Sequence, residues 1–289
     1  MCALKKITNS HFSSKFQNLK DKIIASYNLN RTCQDLDLVR LKNEKIDAII
    51  ELKVGKEDNK SWLPYIKKNF PNRSYGRLDD INYKTLKELA KLAKVNLLIF
   101  RTKNSSLKDG IKIFNVNLSS EDLDINLIGI YTLEDFVNKS SCVISDKLKS
   151  RIIYNVKDFN NPNFDPDNNL YYFISNNEKL KNCYYVEREG NWTMLISNEI
   201  SLQPLWIYIE FNKTVNNKFE FSNENLINEF YPIIDLSKKA NIPFSVISYD
   251  NDLSNIDTYD LIDNSFYKNT FKSEDIHSAF FEYYSKKIK

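Results

Sequence analysis

The segment that most constrains the fold is Lys45–Val54, KIDAIIELKV, an apolar run of strand character interrupted by Glu51 and Lys53. Three isoleucines and an alanine call for burial in a sheet. A buried carboxylate or ammonium, however, costs several kcal/mol unless it is paired or holds a metal. Upstream, DLDLVRL (35–41) alternates apolar and polar residues, and KNEK supplies a turn, so the two segments are expected to form a β-hairpin. Side chains two apart on a strand share a face, which groups Glu51 with Lys53 and Asp35 with Asp37. A turn around Asn43–Lys45 brings Asp37 opposite Glu51. A register change that keeps the parity brings Asp35 there instead.

Two carboxylates set side by side repel unless protonated or bridged by a cation. Hard oxygen donors in small number suit Mg²⁺, which keeps several of its waters, with Mn²⁺ as a substitute. An ammonium beside them can orient or help deprotonate a metal-activated water, or offset charge that builds on a phosphate. Asp35, Asp37 and Glu51 are therefore the candidate metal ligands, and Asp37, Glu51 and Lys53 the candidate catalytic set.

Other chemistries find little support in the composition. The four cysteines, Cys2, Cys33, Cys142 and Cys183, form no CxxC pair, and the two histidines, His11 and His277, lie at opposite ends. A zinc site or a hydrolase triad is not expected on those residues, and the cysteines are read as reduced thiols. The longest unbroken apolar runs are far shorter than the roughly 20 residues of a membrane span. With no signal-peptide pattern at the N-terminus, the chain is expected to be cytoplasmic.

The net charge of the 289 residues is +3, unevenly spread: residues 1–140 carry 25 Lys and Arg against 17 Asp and Glu, and the rest 16 against 21. A basic half joined to an acidic half is consistent with a polyanionic partner for the first. The stretch 56–80 interleaves Trp62, Lys67, Lys68, Arg73 and Arg77 with apolar residues, as a surface tracking a phosphate backbone would.

The periodicity predicts a helix at 12–24, the hairpin, a looped stretch from Gly55 to about Asp80, a helix over 82–94, strands at NLLIFRT and IKIFNVN, and a helix capped by Thr132. A linker is expected in DFNNPNFDPDNN, 158–169. Beyond it come a hairpin from NWTMLISN and QPLWIYIEFNKT, a helix in LINEFYPIIDLSKKAN and a strand in IPFSVISYD. Aligning IIELK with YIEFN matches Glu51 to Glu210, puts Asn212 in the place of Lys53, and sets Met194 or Ile196 in that of the aspartates. The division expected is therefore 1–140, an α/β domain with a mixed sheet flanked by helices, and 141–289, a second α/β domain read as a degenerate copy. Tyr184, Tyr185, Trp192 and Trp206 of the second are candidates for stacking on bases or for a core.

The helix, the Asp-bearing strand, the Glu-Leu-Lys strand of residues 51–53, and the following helix and strand together resemble the PD-(D/E)XK nuclease superfamily over roughly Phe12–Thr102, extending to Ser140. The first helix has no Glu, which some members use as a further ligand, leaving Gln17 or Asp21 in its place; the later helix lacks the Gln of several subfamilies, leaving Lys87 and Lys91 as candidates for phosphate contact. The resemblance implies a Mg²⁺-dependent nuclease acting on DNA in preference to RNA, with nucleic acid and a second copy of the chain as partners and no membrane. A non-catalytic nucleic-acid-binding or assembly protein on the same fold is the alternative. A protein-interaction module is a third.

Overall fold

The computed structural model describes residues 31–43, 45–55, 74–103, 107–121, 123–140, 170, 173–174, 177, 179–180, 183–186, 191–198, 200–214, 217–250, 255–272, 282–283 and 285–287. It divides into two compact units, Leu36–Val186 and a second made of Met1–Asp35 with Glu187–Lys289. The division does not fall at 140; the first unit is inserted in the second. On these boundaries the inserted unit carries 25 basic and 20 acidic residues and the other 16 and 18, so the charge asymmetry narrows to +5 against −2.

Unit Leu36–Val186 is a six-stranded mixed sheet. Its strands are β2 (Leu38–Lys42), β3 (Lys45–Gly55), β4 (Asn96–Lys103), β5 (Ile111–Val116), β6 (Ile125–Tyr131) and β7 (Tyr184–Val186), in the order β6-β5-β4-β3-β2-β7. β2 and β3 form the expected antiparallel hairpin, with Leu38 opposite Ile50 and a bulge after Arg40. Asn43 takes a positive φ in the turn, a conformation asparagine tolerates better than most residues. Helix α1 (Ser74–Ala93) then carries the chain over to β4, which lies parallel to β3. That crossover makes β3 a central strand, and Ile46, Ala48, Ile49 and Ile50 are almost completely buried.

Helix α1 begins at Ser74, within the stretch expected to be a loop. It ends in a left-handed Lys94, with the Val95 amide donating to Ala90 O, the pattern that closes many helices. Helix α2 (Leu133–Ser140) starts as expected, Thr132 Oγ1 accepting from the Asp135 amide at 3.1 Å. Phe136 on α2, Phe100 on β4 and Tyr184 on β7 pack ring to ring at 5.4 to 6.4 Å. Gly110, at φ +77, permits β5 to start beside Tyr131, whose carbonyl oxygen would lie 2.5 Å from any Cβ there.

The second unit is also a six-stranded mixed sheet, built from β1 (Arg31–Asp35), β8 (Asn191–Asn198), β9 (Pro204–Asn212), β10 (Phe244–Tyr249), β11 (Asn255–Ile262) and β12 (Ser265–Lys272), in that order. β8 and β9 form an antiparallel hairpin, helices α3 (Asn223–Glu229) and α4 (Tyr231–Ala240) make the crossover, and β10 returns parallel to β9. Helix α4 ends as α1 does, with Asn241 left-handed and the Ile242 amide donating to Ser237 O. In both sheets the succession is therefore hairpin, helix, parallel strand and two antiparallel strands, with one further strand beside the hairpin. Tyr184, Tyr185 and Trp206 are core residues, whereas Trp192 is half-buried. Cys183, expected as a reduced thiol, is disulfide-bonded.

Candidate functional site

Glu51 and Lys53 stand near the C-terminal end of β3, where a parallel crossover leaves space for polar groups at the strand ends. Their side chains point to one face and pair with each other, Lys53 Nζ lying 2.8 Å from Glu51 Oε1 with side-chain exposures of 14% and 7%. This ion pair is how an isoleucine-rich strand accommodates two charges. The ring of Tyr83, from α1, lies 5.4 Å from Lys53 Nζ and offers the ammonium its electron-rich face.

Asp37 lies just before β2, one step beyond the Leu38–Ile50 pair, and so comes opposite Glu51 as expected. Its Oδ2 accepts a hydrogen bond from the Leu52 amide at 2.6 Å. The carboxylate thus takes the place of a ladder carbonyl where pairing with β3 ends, and the bond anchors it beside Glu51. The sequence brings Asp37, Glu51 and Lys53 together by hairpin register alone.

Asp35 parts from them. The alternating segment 35–41 was expected to be one strand, but it breaks at Leu36 and Asp37, and Asp35 ends β1 in the other unit's sheet, opposite Met194. Lys87 is buried and donates to Ser120 O at 2.6 Å, tying α1 to the loop after β5; Lys91 is exposed and pairs with Glu88 at 2.8 Å. Arg77 lies on α1, while Gln17, Asp21, Trp62, Lys67, Lys68 and Arg73 lie outside the described residues.

Sequence reasoning passed over Arg101. It stands beside Lys53 in the β3–β4 register and is 5% exposed, a second cation on the face that carries Glu51. The signal was present as a charge closing the apolar run NLLIF, at the end of a strand expected to follow a crossover.

Among the described residues no three His, Cys, Asp or Glu side chains converge as a metal-binding group. Asp37 and Glu51 are a two-carboxylate donor set of hard oxygens, which fits a Mg²⁺ ion that keeps most of its waters and does not fit zinc.

In the second sheet Glu210 occupies the corresponding place on β9, and Asn212 follows where Lys53 stands. The residue opposite Glu210 is Trp192, not Met194 or Ile196, which pair with Tyr208 and Trp206. Tyr208 donates to Glu210 Oε1 at 3.3 Å. Tyr249 opposes Asn212 from β10; burial, and then the charge of Glu210, hold its hydroxyl above the usual phenol range. The polar density of this unit lies instead on β11. Asp260 accepts from Ser245 Oγ at 2.6 Å and from Tyr283 at 2.5 Å and pairs with Lys287 at 2.9 Å; Asp257 meets Lys213 at 2.5 Å and Thr270 at 2.7 Å.

No family model and no curated protein matches the sequence. Among solved structures, the chain is similar to a sex pheromone precursor from Lactobacillus salivarius subsp. salivarius, 11% identical over 84% of this chain and 68% of that one, at a TM-score of 0.16. A common fold does not follow from a score of that size.

Proposed function

We propose that unit Leu36–Val186 is a metal-dependent nuclease of the PD-(D/E)XK type, hydrolysing phosphodiester bonds with DNA preferred over RNA. The observation that carries this reading is the convergence of Asp37, Glu51 and Lys53 at the end of β3, on a hairpin joined through α1 to a parallel strand. When bound, a divalent ion would supply Lewis acidity and an activated water. Asp37 and Glu51 are the residues that would hold and orient the ion through their carboxylates. Lys53, from the same face, balances the charge that builds on the non-bridging phosphate oxygens as water oxygen bonds to phosphorus and the bond to the sugar oxygen breaks. Work in the cytoplasm belongs to the same proposal. Among the described residues, no helix is long and apolar enough to cross a membrane.

The same reading extends to the second unit as a degenerate duplicate. Its support is the shared succession of elements, the matching helix ends at Lys94 and Asn241, and the equivalence of Glu51 with Glu210. With Trp192 and Asn212 in place of Asp37 and Lys53, that copy has one carboxylate at the position and no ammonium.

The experiment is cleavage of plasmid and oligonucleotide DNA with Mg²⁺ or Mn²⁺, in the intact chain and in D37A and E51A. Cleavage that needs the ion and vanishes in both variants is expected. Full activity in both variants, or cleavage in chelator, would overturn the assignment. The buried Glu51–Lys53 pair also favours a second reading, a nucleic-acid-binding protein in which the pair is structural. That protein would hold DNA equally well in chelator and would turn nothing over.

A further inference from the structure

We infer that Lys53 is the resident counter-ion of Glu51 in the metal-free chain, and that a divalent ion must displace it, so that metal entry and release of the ammonium toward a phosphodiester are one event. This rests on the nuclease reading above and specifies how its site is regulated. Lys53 Nζ sits 2.8 Å from Glu51 Oε1. A dication held by that carboxylate would share it with a like charge, and the two cations would repel. Their repulsion favours departure of the ammonium, the more mobile of the two.

Asp37 is held by the Leu52 amide and Glu51 is 5% exposed on a central strand, so the carboxylates are the fixed part of the site. Lys53 is the part that can swing, on a flexible four-carbon stem with the Tyr83 ring within reach. The formal charge of Asp37, Glu51, Lys53 and Arg101 is 0 before the ion enters and +2 after it. A phosphate group is therefore attracted by the loaded site more strongly than by the resting one. Because binding linkage is reciprocal, bound DNA must tighten the hold on the metal by the same factor.

The test is Mn²⁺ binding, read from the free-ion electron paramagnetic resonance signal, in the full chain and in K53M, K53Q and E51Q without DNA. Removing the competing ammonium should tighten Mn²⁺ binding in K53M and K53Q by about fivefold or more, the low end of usual coupling between ligands. Glu51→Gln should abolish it. The melting temperature is read beside it, since Mn²⁺ should stabilise K53M more than the parent. Affinity unchanged or weaker in both Lys53 variants would overturn the displacement while leaving the nuclease reading standing. Absence of Mn²⁺ binding in the folded parent and in both Lys53 variants would overturn the nuclease reading itself.

Discussion

Trp192 stands opposite Glu210 across the β8–β9 hairpin, in the register position that Asp37 holds opposite Glu51 across β2–β3. An indole cannot ligate a hard cation, and Asn212 carries no charge to place beside a phosphate. The second sheet therefore keeps the strand architecture of the first without its donor pair. Glu210→Ala is expected to change DNA cleavage by less than about twofold, within the range of substitutions that touch no reacting group. Loss of cleavage in a variant that still melts cooperatively would move the active site to the second unit.

The Asp37 carboxylate has two duties, which different substitutions separate. Its Oδ2 receives the Leu52 amide, and the hairpin register sets the residue opposite Glu51. Asp37→Asn keeps an acceptor oxygen and removes the charge, so cleavage should fall by about 10²-fold or more while the melting temperature holds. Asp37→Ala should lose cleavage and also about 1 kcal/mol of stability, because the Leu52 amide loses its partner. Equal activity of D37N and the parent, measured on supercoiled DNA, would remove Asp37 from the site.

Much of this site was legible in the sequence because it depends on local pairing. Strand parity groups Glu51 with Lys53, and the length of the 43–45 turn sets Asp37 against Glu51, without reference to distant residues. Asp35 was misplaced for a physical reason. Alternation over 35–41 satisfies one continuous strand as well as two short ones, and only pairing with residues far along the chain decides that Asp35 joins β8. Strands β6 and β12 also went unread. Each lies at a sheet edge and leaves much of its surface in solvent, so neither shows the clear apolar alternation of a half-buried strand. Lys87 looked like a solvated or phosphate-facing lysine, yet the carbonyl of Ser120, 33 residues away, makes its burial tolerable.

The interleaved boundaries make a prediction about dissection. A fragment of residues 36–186 retains β2 to β7 and should unfold cooperatively on its own. A fragment of residues 1–140 lacks β7, and with it Tyr184 from the cluster with Phe100 and Phe136 and the pairing along β2. Truncating one such buried aromatic costs about 3 to 5 kcal/mol, a large part of the stability of a domain. Circular dichroism melts should show a cooperative transition for 36–186 and none for 1–140. Equal behaviour of the two would mean that β7 is dispensable.

The acid stability of the second unit should depend on Asp257. Burial opposes its charge, but hydrogen bonds from Lys213 and Thr270, the charge of Lys213 and the contact with Lys268 outweigh burial and hold its carboxyl below the usual range. An acid whose folded pKa lies below its unfolded value binds fewer protons when folded. The stabilisation it gives is fully present above the unfolded value, near pH 4, and is lost as pH falls through the lower folded value. Asp257→Asn should therefore lower the stability of the second unit by about 1 kcal/mol at pH 7, since Lys213, itself partly exposed, loses its charged partner. As pH falls through that lower folded value the parent carboxyl becomes protonated, and the gap between parent and variant should close. Urea melts at pH 7, 5 and 3 measure that gap directly. A gap that stayed constant across the three would show that the destabilisation comes from packing and that the Lys213–Asp257 pair contributes nothing through its charge.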